Sequence, residues 1–216
     1  MSISLLGCQR VEEKKSTPIA VEDKIFDITI QSAQPDSYNY SDASALVGKG
    51  SGGEEIRVLI AIPDILNLYR PDVVLSSIAN IEIHIKASSV SINPENIHLS
   101  FLAKNWTPYA TWNSRFGIAP QQEWTTPGGD VLDIPPVSPS IEKVSDTSAD
   151  KNLVFNLTQV MIDAVTDQRE IHGFLLEVEP SALNASDQLP MYTSNSSKAY
   201  APKAYLTLNK DEVIVP

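Results

Sequence analysis

The chain has 216 residues and a single cysteine, Cys8, so no disulfide can form within it. Its three histidines, His84, His98 and His172, lie far apart and match no HxH or HExxH spacing, and no GxSxG occurs. The short signatures of zinc hydrolases and serine hydrolases are therefore missing. No uninterrupted apolar run approaches the roughly 20 residues of a membrane helix. Basic residues are scarce as well, with 16 Lys and Arg against 27 Asp and Glu and a net charge of -11. A surface of that sign repels phosphate backbones and anionic lipid, which excludes nucleic acid as an expected partner. The plain meaning of the acidity is a well-solvated surface.

What the chain does have is a large share of aliphatic and β-branched residues, punctuated by 15 prolines and 9 glycines. That pattern suggests many short strands joined by turns. Length and pattern predict one all-β sandwich domain over residues 25–216, preceded by residues 1–24. In that leading segment, Leu5-Leu6-Gly7-Cys8 has the form of a bacterial lipobox. Cleavage before such a cysteine and acylation of its thiol anchor a protein to a membrane without spanning it. Only seven residues precede Cys8 and none is basic, so either a charged signal region lies further upstream or the match is chance. Gln9 to Ala20 is polar and aperiodic, as a tether between anchor and domain would be. The expected location is a bacterial cell envelope or surface, with membrane contact only through this lipid.

Within the domain, Ile25 to Ile30 reads as a strand, and Gln31 to Ser44 as a long loop. The cluster Gly48 to Gly53 precedes a strand rather than a helix, so it reads as a flexible hairpin and not a phosphate cradle. Ile56 to Ile62 is nearly continuous apolar, as in a strand buried on both faces. Ile78 to Lys86 alternates, placing Ile81, Ile83 and Ile85 on one face and Glu82, His84 and Lys86 on the other. Val90 to Ile92, Ile97 to Leu102, Gly173 to Val178 and Tyr205 to Leu208 complete the expected strands. One helix is expected, because Leu157, Val160, Met161, Ala164 and Val165 form a single apolar stripe. Asn156 and Gln159 are placed for a capping box at its start, and Phe155 and Val160 for a hydrophobic staple.

The stretch Thr111 to Asp130 is the most informative part of the chain. Trp112 and Trp124 bracket a turn-rich loop that closes on Pro127-Gly128-Gly129-Asp130. Several segments, in order, resemble the bacterial DNRLRE family of secreted β-sandwich domains. They are Ala45 to Gly48 with Arg57 to Pro63, Ile78 to Ile85, Trp106-Thr107 with Thr111-Trp112-Asn113, Trp124 with Pro127 to Asp130, Val154 to Thr158, Gly173 to Leu176 and Pro202 to Leu206. The resemblance spans about residues 25–209. It implies a jelly-roll sandwich, and a carbohydrate-binding role in some members or a surface and adhesive role in others. Two departures stand out. The helix-end Trp-Gly of the family is replaced by Thr166-Asp167-Gln168-Arg169, and an acidic insertion rich in Pro and Ser runs from Val131 to Asn152.

Sugar recognition needs flat aromatic faces for CH groups and nearby polar side chains for hydroxyls. Trp106, Tyr109, Trp112, Asn113, Arg115 and Trp124 cluster in sequence and are the candidates. The competing account is structural, with the tryptophans plugging one end of the sandwich and Asn113 and Asp130 bonding turn amides. An anionic polysaccharide sits poorly with a charge of -11 unless Arg57, Lys104 and Arg115 form a local basic spot. Asp36, Asp42 and Asp130 are candidates for a structural calcium ion, against the alternative of turn-forming carboxylates, and no EF-hand pattern is present. The expected function is a non-catalytic, envelope-anchored carbohydrate-binding or adhesion module. The rivals are a structural assembly domain without a small ligand and, more remotely, an enzyme acting on polysaccharide.

Overall fold

The computed structural model describes residues 19–21, 25–38, 42–63, 78–117, 122–179 and 188–209. Cys8 therefore lies outside the described residues. The protein is an all-β sandwich with a curled antiparallel sheet and one short helix. Its strands are β1 (Ile19–Val21), β2 (Phe26–Gln31), β3 (Ser44–Lys49), β4 (Glu55–Ala61), β5 (Ile78–Ala87), β6 (Ile97–Phe101), β7 (Ser140–Lys143), β8 (Lys151–Asn156), β9 (Phe174–Val178), β10 (Gln188–Tyr192) and β11 (Lys203–Leu208). The helix α1 is Thr158–Thr166.

Pairing is nested. β3 pairs with β10, β4 with β9 and β5 with β8, so one long hairpin is folded over on itself, which is the jelly-roll winding. One layer runs β3-β10-β5-β8, with β7 added at the β8 edge and β11 and β1 added beside β5. The other layer is β2-β4-β9-β6. β3 and β4 meet only at their hairpin end, through Gly48↔Ile56 and Lys49↔Glu55. There Gly48, Gly50 and Gly53 do fall at GxGxxG spacing, but β4 follows the turn and no helix N-terminus is available to a phosphate.

The main core fills the space between the layers. Ile81, Ile83 and Ile85 of β5 and Leu153 and Phe155 of β8 meet Val58 and Ile60 of β4, Phe174 and Leu176 of β9, and Leu99 and Phe101 of β6. Strand β4 is apolar on both faces for a structural reason. Val58, Ile60 and Ile62 enter this core, whereas Leu59 and Ala61 belong to a second cluster on the outside of the same layer, with Ile28, Ile30 and Leu175. A strand with only one covered face would alternate.

Several expectations change. Val90 to Ile92 is irregular rather than a strand. β7 and β8 fall wholly or partly within the Val131–Asn152 insertion, where no strand was expected, and β1 falls within the leading segment 1–24. β10 is interrupted in sequence by Pro190, which is tolerated because β5 pairs with β10 only at Met191↔Ala87. No capping box forms. Leu157 is the N-cap residue, Asn156 Oδ1 accepts from the Thr158 amide at 3.1 Å, and Gln159 bonds Asp163 instead. Met161 is buried core, as its stripe predicts.

Candidate functional site

The loops between β6 and β7 form a lid over the outer face of the β2-β4-β9 layer. Three tryptophans fill it. Trp106 packs on Phe26 with ring centroids 5.1 Å apart and donates its indole N–H to the His172 carbonyl at 3.1 Å. Trp124 is 4% exposed and donates to the Thr111 carbonyl at 3.0 Å. Trp112 is 9% exposed and lies under the Arg57 guanidinium, 5.0 Å from ring centroid to Cζ. All three belong to the second hydrophobic cluster with Leu59, Leu102 and Leu175. Each indole N–H that is bonded finds a backbone carbonyl, as buried tryptophan requires. Trp106, Trp112 and Trp124 are therefore packing residues, and the expectation that they present faces to a sugar is corrected.

The turn beneath Trp112 shows why glycine stands there. Gly128 has φ +90°, and a Cβ on it would come within 2.9 Å of both the Trp112 ring and Arg57 Nη1. Arg57 reaches the Gly128 carbonyl at 3.2 Å and is held by Glu55 at 3.0 Å and Glu177 at 3.2 Å. Asp130 closes the same turn. Its two carboxylate oxygens accept from the Thr125 amide at 2.9 Å and the Thr126 amide at 2.7 Å, and Lys104 pairs with it at 2.9 Å. Burial works against the charge on Asp130, but Lys104 and the two amides outweigh it and hold the carboxyl below its usual range.

Asn113 and Arg115 brace the loop as well. The Asn113 amide N–H bonds the Pro35 carbonyl and its side chain donates to Asp36 at 3.0 Å, tying the loop after β2 to the tryptophan loop. Arg115 bonds both the carbonyl and side chain of Asn105, and reaches Gln122 Oε1 at 2.6 Å. The basic spot expected from Arg57, Lys104 and Arg115 does not form, since Arg57 and Lys104 are neutralised by carboxylates and Arg115 is spent on neutral partners. Asp36, Asp42 and Asp130 do not converge either. Asp36 holds Asn113, the Asp42 carbonyl accepts from Thr193, and among the described residues no group of three or more His, Cys, Asp and Glu could hold a metal ion. The expected calcium site is thus not assembled from these three.

Of the six sugar candidates, Tyr109 alone stands out in solvent. It is 48% exposed and meets Tyr38, which is 54% exposed, edge to face at 5.7 Å and 88°. Tyr38 sits in the loop that Asn113 pins through Pro35 and Asp36. The sequence gives no sign of this partnership, because the two rings are joined only by the pinning.

A second surface feature escaped sequence reasoning altogether. A groove of about 270 Å³ opens on the outer side of the β7-β8-β5-β11 region, lined by residues that include His84, Lys86, Lys143, Asn152, Lys203 and Tyr205. In register, His84 stands opposite Lys203 and Val154, and Lys86 opposite Asn152. His84 packs edge-on to Tyr205 at 4.5 Å, accepts from Asn152 at 3.0 Å through Nδ1, and meets Glu82 at 2.9 Å through Nε2. The outward alternation of Glu82, His84 and Lys86 was legible, but the neighbours that β8 and β11 bring beside them were not. The other histidines are engaged locally, His98 with the Glu95 carbonyl and His172 with Glu170. No protein-family model matches the chain, and no curated protein is significantly similar to it.

Proposed function

We propose that the protein is a non-catalytic carbohydrate-binding module of a bacterial cell envelope, of the kind its resemblance to DNRLRE domains implies. The observation that carries this is the Tyr38–Tyr109 pair. Two large rings stand in solvent, Tyr109 on the loop backed by three buried tryptophans and Tyr38 on a loop tied to it through Asn113, and neither ring is part of the buried clusters. An aromatic face held rigidly in water loses little entropy when it stacks on a sugar, which favours binding. Glycan profiling of the wild type beside Tyr38→Ala and Tyr109→Ala tests it. Binding to a polysaccharide that drops about tenfold or more in either variant is expected. If the wild type binds no glycan, the protein is a structural or assembly domain instead. Release of reducing sugar from a bound polysaccharide would show catalysis. Anchoring through Cys8 is tested by metabolic labelling with a fatty-acid analogue, which Cys8→Ser should abolish.

A further inference from the structure

We infer that the cleft between α1 and the loop after β6 is a docking site for a basic peptide segment of a partner protein, one that sets an apolar side chain beside lysine or arginine. The cleft encloses about 310 Å³. Its floor is apolar, with Val160 and the buried Ala164 from the helix and Ile134 from the loop. Val160 and Ile134 rest on the main core but are only half-buried, so each keeps apolar surface open to the cleft. Its rim is acidic. Asp163 on α1 and Asp167 at the helix C-cap stand one turn apart, and Asp133 joins them from the loop. All three are exposed. Asp163 accepts from the Gln159 side-chain amide at 2.7 Å, and among the described residues no Lys or Arg side chain pairs with the carboxylate of Asp133 or Asp163.

Arg169 shows which chemistry this rim accepts. The helix ends in a Schellman turn, where the Gln168 amide bonds the Val165 carbonyl at 3.1 Å and the Arg169 amide bonds the Ala164 carbonyl at 2.8 Å. Gln168 takes a φ of 56° there, a conformation that glycine usually fills. That costly turn brings Arg169 back to the cleft. Its guanidinium lies 3.6 Å from the Asp167 carboxylate and donates to the Asp133 carbonyl at 3.0 Å, so it bridges helix and loop. One cation of the chain's own is thus already seated on the rim, and two carboxylates remain for cations from outside. Long basic side chains suit the place, because their methylene stems cover apolar surface while the charge stays in water. A metal ion does not, since among the described residues no group of three or more His, Cys, Asp and Glu could hold one. The net charge of -11 steers a basic partner toward this molecule. The two sides of the cleft include the stretches in which the chain departs from the DNRLRE pattern, Thr166 to Arg169 at the helix end and the insertion that starts at Val131. The site shares no residue with the Tyr38–Tyr109 pair or with the lysine groove on β5, β7, β8 and β11, and it does not rest on the glycan reading.

Fluorescence anisotropy of a labelled peptide titrated with the full chain tests this. The probe is a short synthetic peptide carrying one leucine flanked on each side by lysine. Comparison peptides replace the leucine by glycine or the lysines by glutamate, and spermine serves as a competitor with charge but no apolar anchor. Wild type, Asp133→Asn/Asp163→Asn, Arg169→Gln and, away from the cleft, Glu142→Gln/Asp146→Asn are compared, with melting curves to show that each is folded. The leucine–lysine peptide is expected to bind at low salt, and more weakly as salt rises. Its affinity should fall about fivefold or more in Asp133→Asn/Asp163→Asn, rise about twofold or more in Arg169→Gln, and stay unchanged in Glu142→Gln/Asp146→Asn. No binding by the wild type, equal binding of either comparison peptide, full binding by folded Asp133→Asn/Asp163→Asn, or weaker binding by folded Arg169→Gln would each overturn the assignment. Equal loss in the two acid-to-amide pairs would overturn it too, by showing attraction to the acidic surface at large. Displacement by spermine at concentrations equal to the peptide's would give the rim to polyamines instead.

Discussion

The tryptophan loop and the lysine groove are built by opposite means. The loop joins residues close in sequence, from Asn105 to Asp130, and uses its largest side chains to cover the outside of one layer. The groove joins residues more than a hundred positions apart, from His84 to Tyr205, and covers nothing. Concentrated aromatics in a short stretch look like a site and turn out to be a wall. A site-like surface comes instead from ordinary strand residues whose outward faces the register brings together. Large aromatic area contributes most to stability when it is dry, so a cluster of tryptophans on a covered face is first a packing device.

Substitutions can break or sharpen that contrast. The largest effect is expected at Trp112. Trp112→Ala should lower stability by about 3–5 kcal/mol, as for a large aromatic removed from a packed cluster, and unchanged denaturant melting would refute its place in the wall. Next comes Asp27, a 3% exposed carboxyl on β2 that accepts from the Ser194 amide at 2.6 Å. Burial pushes it up to about 6 from 3.8, against the pull of Ser194. Between those two values the folded chain keeps a proton that the unfolded chain has released. Stability should therefore fall as pH rises across this window and level off above it, by about 2–3 kcal/mol in all. Asp27→Asn should flatten that slope and melt higher than the wild type at pH 8, and an identical pH profile in the two proteins would contradict it. Asp130→Ala should cost about 1–2 kcal/mol through its two amide bonds and the Lys104 pair. Because that carboxyl is depressed, its contribution is present at neutral pH and is lost on acidification, opposite in sign to Asp27. Smallest is Tyr109→Ala, which should change stability by no more than about 0.5 kcal/mol; a large drop in melting temperature would make the exposed pair part of the wall as well.

How far these features could be read beforehand follows from their range along the chain. β4, β5 and β9 were legible because their apolar periods, continuous or alternating, are local. The stripe of α1 was legible for the same reason, but its cap was not, since Asn156 is shared with Asn80 of β5. β10 was hidden by Pro190, whose tolerance depends on how little of β5 lies beside it. The tryptophans were found as residues, but not their direction, because that is set by the apolar outer face of β2 and β4. Arg115 and Asn113 were chosen as polar groups for a ligand and serve as braces, Arg115 to Asn105 and Gln122 across its own loop and Asn113 to Asp36 in the loop after β2, partners that no local pattern reveals. The groove needed the register of four strands, which no local pattern encodes.

Nested pairing also sets the order in which this chain can mature. β2 can pair with β4 and β5 with β8 early, but β1 waits for β11, and most of β3 waits for β10, so these strands complete their pairing only when the last are made. Closing such long loops is slow relative to local hairpins, and unpaired edges stay open meanwhile. A fragment ending before Lys203 would leave the β5 edge that β11 covers unpaired, and such a fragment should aggregate rather than persist as a smaller domain.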